Sequence, residues 1–167
     1  MKLSIGVIVV FVSGLLLAAL PAAAQDSEVR SLKGLPGMQV VVEGIPPDAE
    51  RDGLYRSVLQ TDVESQLKAA GITVLTEEQY QKHPAMPYLY VNVNTVRSDP
   101  GLYAYSINIS FRQKAQLLSG EIGYGVSTWE TGSIGVVGAS RLSQARESVK
   151  GSVDRFIKDW LTVNPKK

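Results

Sequence analysis

Residues 88–95 read YLYVNVNT, an alternation with a period of two. Leu89, Val91 and Val93 point one way, and Tyr88, Tyr90, Asn92 and Asn94 point the other. One face of this strand asks for an apolar cover, while the other carries phenols and amides. The turn signal Ser98-Asp99-Pro100-Gly101 follows. From Leu102 to Leu118 a second, longer strand sets Tyr103, Tyr105, Ile107, Ile109 and Phe111 on one face. Ser106, Asn108, Ser110, Arg112 and Lys114 take the other. A short turn between two alternating runs predicts an antiparallel hairpin.

On the N-terminal side of the hairpin, Met38 to Ile45 is a β-branched run closed by Gly44 and Pro46-Pro47, which reads as a strand. Leu54 to Ala70 reads as an amphipathic helix, because Tyr55, Leu59, Val63, Leu67 and Ala70 fall on one face. Gly71 suits the end of that helix. Ile72 to Thr76 reads as a short second strand, and Thr76-Glu77-Glu78-Gln79 as a capping box opening about one helical turn before Pro84.

On the C-terminal side, Ser119-Gly120 marks a turn and Gly123 to Thr131 a last strand carrying Tyr124 and Trp129. Six of the 15 glycines lie within 120–138, which predicts a strongly bent or mobile stretch. Leu142, Ala145, Val149, Val153, Phe156, Trp160 and Val163 recur at three- and four-residue steps, so a closing helix is expected over 140–163, capped by Ser140. Gly151 inside it costs up to about 1 kcal/mol relative to Ala.

The expected order is β-α-β-short α-β-β-β-α. Two long amphipathic helices need a sheet on which to bury their stripes. The fold class is therefore α+β: a two-layer sandwich with a mixed, mostly antiparallel sheet of four or five strands and both long helices on one face. Leu89, Val91 and Val93 are expected beneath the helices.

The strand at 38–45, the helix at 54–70, the hairpin at 88–118 and the helix at 140–163 together resemble small periplasmic α/β domains. These occur in the N-terminal part of the Tol translocation protein, in lipoprotein activators of penicillin-binding proteins and in the curli secretion component. The resemblance is one of element order, and it implies a protein-binding or assembly role in the cell envelope. The stretches YLYVNVNTV and STWETGSIGVVG also look like those of small exported bacterial proteins of unknown function.

The first 24 residues read as an export signal. Met1-Lys2 is positive, Leu3 to Leu20 is uncharged and mostly apolar, and Pro21-Ala22-Ala23-Ala24 offers a small-residue cleavage site after Ala24. Residues 25–37 are polar and read as a mobile lead-in, and 38–167 as a single α+β domain. The expected location is the periplasm or the exterior. The chain carries 17 basic and 16 acidic residues, and Lys2 is the one charge in 1–24. The remainder is formally neutral, which gives no electrostatic reason to expect nucleic acid as a partner. No later run is long and apolar enough to span a bilayer. The absence of Cys excludes disulfides, thiolate metal sites, Cys nucleophiles and lipidation at cysteine within these residues.

The sequence offers little catalytic chemistry. Gly132, Gly135 and Gly138 precede a helix, but their G-x-x-G-x-x-G spacing is not a dinucleotide fingerprint, and no Lys-Ser/Thr pair follows. His83 stands alone beside Pro84, without a partner for a triad or a metal. Glu77 and Glu78 suit the first turn of a helix. Glu130 beside Trp129 has no second acid placed near it for glycoside cleavage. Asn108-Ile109-Ser110 fits a glycosylation pattern and reads as chance within a strand.

The expected function is thus non-catalytic, with no cofactor and no metal. The expected binding residues are Tyr88, Tyr90, Asn92, Asn94, Asn108 and Arg112 on the polar sheet face, joined by Trp129. The partner is an envelope protein or a second copy, engaged by a sheet face or an edge strand. The alternative is a small glycan or peptide held in a groove near Trp129.

Overall fold

The computed structural model describes residues 22–98 and 101–165. The export signal expected over 1–24 lies largely outside the described residues. The elements are α1 (Ala22–Ser31), β1 (Gln39–Val42), α2 (Pro47–Arg51), α3 (Arg56–Ala69), α4 (Glu77–Lys82), β2 (Tyr88–Ser98), β3 (Leu102–Gln116), β4 (Ile122–Gly138) and α5 (Ala145–Val163). A 3-10 segment, Ala139–Gln144, leads into α5.

The four strands form one mixed sheet in the order β1-β2-β3-β4. β1 and β2 run parallel, joined across by α2, α3 and α4, whereas β2-β3 and β3-β4 are antiparallel. The hairpin predicted from residues 88–118 is present, with Leu89 opposite Phe111, Val91 opposite Ile109 and Val93 opposite Ile107. All six of these side chains are buried.

The two-layer α+β sandwich holds. α3 buries Leu59, Val63 and Leu67 and packs against β1 and α5. α5 buries Ala145, Val149, Val153, Phe156 and Trp160 and packs against β3 and β4. Each fully buried aliphatic or phenyl group in this layer contributes about 1.5–3 kcal/mol relative to exposure. An aromatic cluster anchors α5, in which the Phe156 ring lies 5.0 Å from Trp129 and 5.8 Å from both Phe111 and Trp160.

Four local expectations change. Residues 72–76 do not form a strand; Val74 makes one parallel bridge with Met38, held by Met38 N–H donating to Thr73 O and Leu75 N–H to Met38 O. The lead-in of 25–37 is packed against the domain, since much of it is α1 and its C-terminal turn, and Leu32 is fully buried. Ser31 Oγ also donates to Thr128 O, and Asn164 Nδ2 to Leu32 O, so both β4 and the end of α5 are tied to this segment. The last strand continues through the glycines to Gly138 and does not stop at Thr131. Finally, Ser140 does not cap α5; the 3-10 segment begins after Gly138 without a side-chain cap. The capping box at Thr76 and Gln79 forms as predicted, with both reciprocal bonds made.

Candidate interaction surface

The helices α3 and α5 lie on the sheet face that carries Val40, Leu89, Ile107 and Trp129. The strand pleat sends Tyr88, Tyr90, Asn92, Asn94 and Val96 of β2 to the opposite face. Register brings Arg112, Ser110, Asn108, Ser106 and Ala104 of β3 beside them. Glu130, Gly132, Ile134 and Val136 of β4 complete the surface. No helix of the described residues lies across the middle of this face.

One end of the face is internally organised. The Arg112 guanidinium carbon sits 4.2 Å from the Tyr90 ring centroid, and Arg112 Nε donates to Ser110 Oγ at 3.0 Å. This stack closes over Ser110, which is 1 % exposed although it belongs to the open face. The Tyr90 hydroxyl donates to the Glu43 carboxylate. Tyr88 meets the Tyr80 ring edge-on, with centroids 5.9 Å apart. Burial, followed by the neighbouring Tyr88 and Glu77, raises the Tyr80 phenol above its usual range. A cation over an aromatic face together with a charge-assisted hydrogen bond fixes these side chains in place without a cover.

The centre is polar and open. Asn92 lies opposite Asn108, and Asn94 opposite Ser106. Asn94 and Asn108 are exposed. The far end turns apolar, where Val96, Ala104, Ile134 and Val136 border a shallow groove of about 410 Å³ together with Asn94. Ile134 is 86 % exposed and Val136 70 % exposed. The pattern expected for the last strand ends at Thr131 and so leaves this apolar end out. The signal for it in the sequence is the alternation of Ile134 and Val136 with small residues.

Six of the seven expected binding residues are therefore gathered on one face, and Trp129 is not among them. Its ring is 2 % exposed on the helix side, and Nε1 donates to Asp159 Oδ2 of α5 at 2.9 Å. The reason is pleat: Trp129 shares the parity of Thr131 and Ser133, while Glu130 points the other way. The groove expected near Trp129 is filled by Phe156.

The residues considered for chemistry are dispersed. His83 closes α4, and its Nδ1 accepts from Ala85 N–H at 3.1 Å. Glu77 accepts from Gln39 and Gln81, and Glu78 pairs with Lys82. Glu130 is exposed on the open face. Gly132 and Gly135 are strand residues and not a phosphate loop. Among the described residues, no group of three His, Cys, Asp or Glu could hold a metal ion, and no helix is long and apolar enough to cross a membrane.

No protein-family model matches the chain, and no curated protein matches it. Solved structures that it is similar to include a presumed lipoprotein from Caulobacter crescentus CB15, at 13 % identity and a TM-score of 0.36 over 87 % of this chain and 100 % of that one. A minor lipoprotein from Acinetobacter baumannii is similar at 8 % identity and a TM-score of 0.31, over 77 % of this chain and 93 % of that one. At these scores the likeness carries no argument about activity or partner.

Proposed function

We propose that this is an exported, non-catalytic envelope protein that binds another protein through the open face of its sheet. The observation that carries this reading is the one-sided cover. Both long helices lie on one face, and the other presents Tyr88, Tyr90, Asn92, Asn94, Asn108 and Arg112 in one contiguous field. Tyrosine offers large contact area for little rotamer entropy, and amides adapt their hydrogen bonds to a partner. The field is partly pre-ordered by the Arg112–Tyr90 stack, which lowers the cost of fixing it on binding. The resemblance of the sequence's element order to periplasmic α/β domains is in keeping with an assembly role of the same kind.

The test is a paired substitution at the centre of the face. Asn92→Arg with Asn108→Glu adds bulk and charge at a half-buried and an exposed position of the open face, outside the core, so the fold is expected to keep its thermal midpoint. In-cell cross-linking of the unaltered protein should yield a discrete adduct that the variant loses. An adduct of equal yield from the variant contradicts the proposal.

A further inference from the structure

The two edges of the sheet are treated differently. β1, the first edge, is blocked from the side by α3: Arg56 Nε donates to Val42 O at 2.7 Å and Gln60 Nε2 to Val40 O at 3.0 Å. Among the described residues, β4, the other edge, is blocked only near its middle, where Ser31 Oγ of α1 donates to Thr128 O at 3.1 Å. Beyond that point Gly132, Ser133, Ile134 and Val136 are exposed. Ala139 N–H bonds Gly101 O, so the odd-numbered residues of this stretch pair inward with β3. The backbone groups of Glu130, Gly132, Ile134 and Val136 therefore point away from the sheet. Among the described residues, no side chain or loop bonds them. The stretch 131–138 holds no charge and no Pro, the residues by which exposed edges are usually protected.

We infer that the 130–138 edge of β4 pairs antiparallel with the same edge of a second copy of this chain. The inference deepens the reading of the sheet as an interaction surface and rests on it only in taking this end as uncovered. A second copy is the occupant because the strand is complementary to itself about a twofold axis at Gly135. That axis sets Ile134 opposite Val136 of the second copy and Gly132 opposite Gly138, the last residue of the strand. The two apolar ends of the open face, 86 % and 70 % exposed at Ile134 and Val136, then lie side by side and cover one another. Registers centred nearer Glu130 would bring two carboxylates together. An antiparallel contact of this kind is isologous, so it closes at a dimer and does not propagate.

The experiment is sedimentation of the purified protein over a range of concentrations, with two variants and one cross-link. The unaltered protein should show a reversible monomer–dimer equilibrium. Ile134→Pro removes an outward N–H and leaves the β3 ladder intact, and should raise the dissociation constant by about tenfold or more. Val136→Lys, which places a charge on the edge without touching the backbone, should do the same and serves if the proline variant does not fold. Register is read separately, since the chain has no Cys of its own. Ile134→Cys chains mixed with Val136→Cys chains should form a heterodisulfide faster than either forms a homodisulfide, because only opposed positions bring the Cα atoms within about 7 Å. A monomer at every concentration, a dimer indifferent to both substitutions, or homodisulfides formed as readily as the mixed one would each overturn the inference. A monomer that still loses its cellular adduct on Asn92→Arg with Asn108→Glu would refute the edge pairing while leaving the face reading intact.

Discussion

Tyr105 lies across Gly135. The two are cross-strand partners, and a Cβ at residue 135 would collide with the phenol of Tyr105. The hydroxyl continues to Ser148 on α5, with 3.1 Å between the oxygens. One glycine thus lets a β3 side chain fold over β4 and tie the sheet to the closing helix. Gly132 is more constrained, because its Cβ would lie 2.5 Å from the Ile107 carbonyl oxygen, which is backbone and cannot swing away. Gly138 has open space around it. Gly132→Ala is therefore expected to cost about 1–3 kcal/mol, and Gly138→Ala to stay within about 0.5 kcal/mol of neutral. Denaturant midpoints of the two variants check this. Equal effects would mean that the glycines are not there for close approach.

Trp129 has a structural role. It is enclosed by Phe156 and bonded to Asp159. Trp129→Ala should destabilise by about 3–5 kcal/mol, measured by urea unfolding, and the folded fraction should keep its cellular adduct. A stable variant that had lost the adduct would return Trp129 to the binding surface.

Tyr103 sets a pH dependence. Its buried hydroxyl donates to Asp52 Oδ2 at 2.8 Å, with Asp48 Oδ2 at 3.4 Å. Burial first, then the Asp52 hydrogen bond and the two carboxylate charges, raise the phenol above its ordinary value, against a smaller lowering by Arg97. The unfolded chain therefore releases this proton first as pH rises. The contribution is complete below about pH 10 and is lost above it, as pH climbs toward the folded value. Tyr103→Phe should flatten that alkaline loss. Unfolding free energies from neutral to alkaline pH check the sign, and identical slopes for both proteins would contradict it.

Gly151 is an exposed interior position of α5, and a Cβ added there would meet nothing within 4 Å. Gly151→Ala should stabilise by about 0.5–1 kcal/mol through helix propensity alone. A lower thermal midpoint would mean that this turn of the helix contacts something beyond the chain.

The parts of the fold legible in the sequence are those governed by local periodicity. Leu89, Val91 and Val93 mark a half-buried strand, the stripe from Leu142 to Trp160 marks α5, and Thr76 with Gln79 marks a capping box. The rest is set by tertiary context. The glycines at 132, 135 and 138 have the composition of a break, yet they are strand residues because Ile107 and Tyr105 need the space at 132 and 135. Residues 72–76 have the composition of a strand but find a single bridge to Met38. α1 has a polar composition, and what holds its end in place is the distant pair Thr128 and Asn164. The site follows the same division. The phenols and amides of β2 and β3 are legible from alternation, whereas Trp129 requires the pleat parity of β4, and Ile134 and Val136 require the full length of that strand.

A partner is expected on the open face of the sheet. A photoreactive side chain placed at Asn92, Asn94 or Asn108, and as a control at the exposed Lys158 on α5, tests it in living cells. The expected result is a discrete cross-linked product from the three face positions and none from Lys158. Products from Lys158 alone, or equally from all four positions, would contradict it.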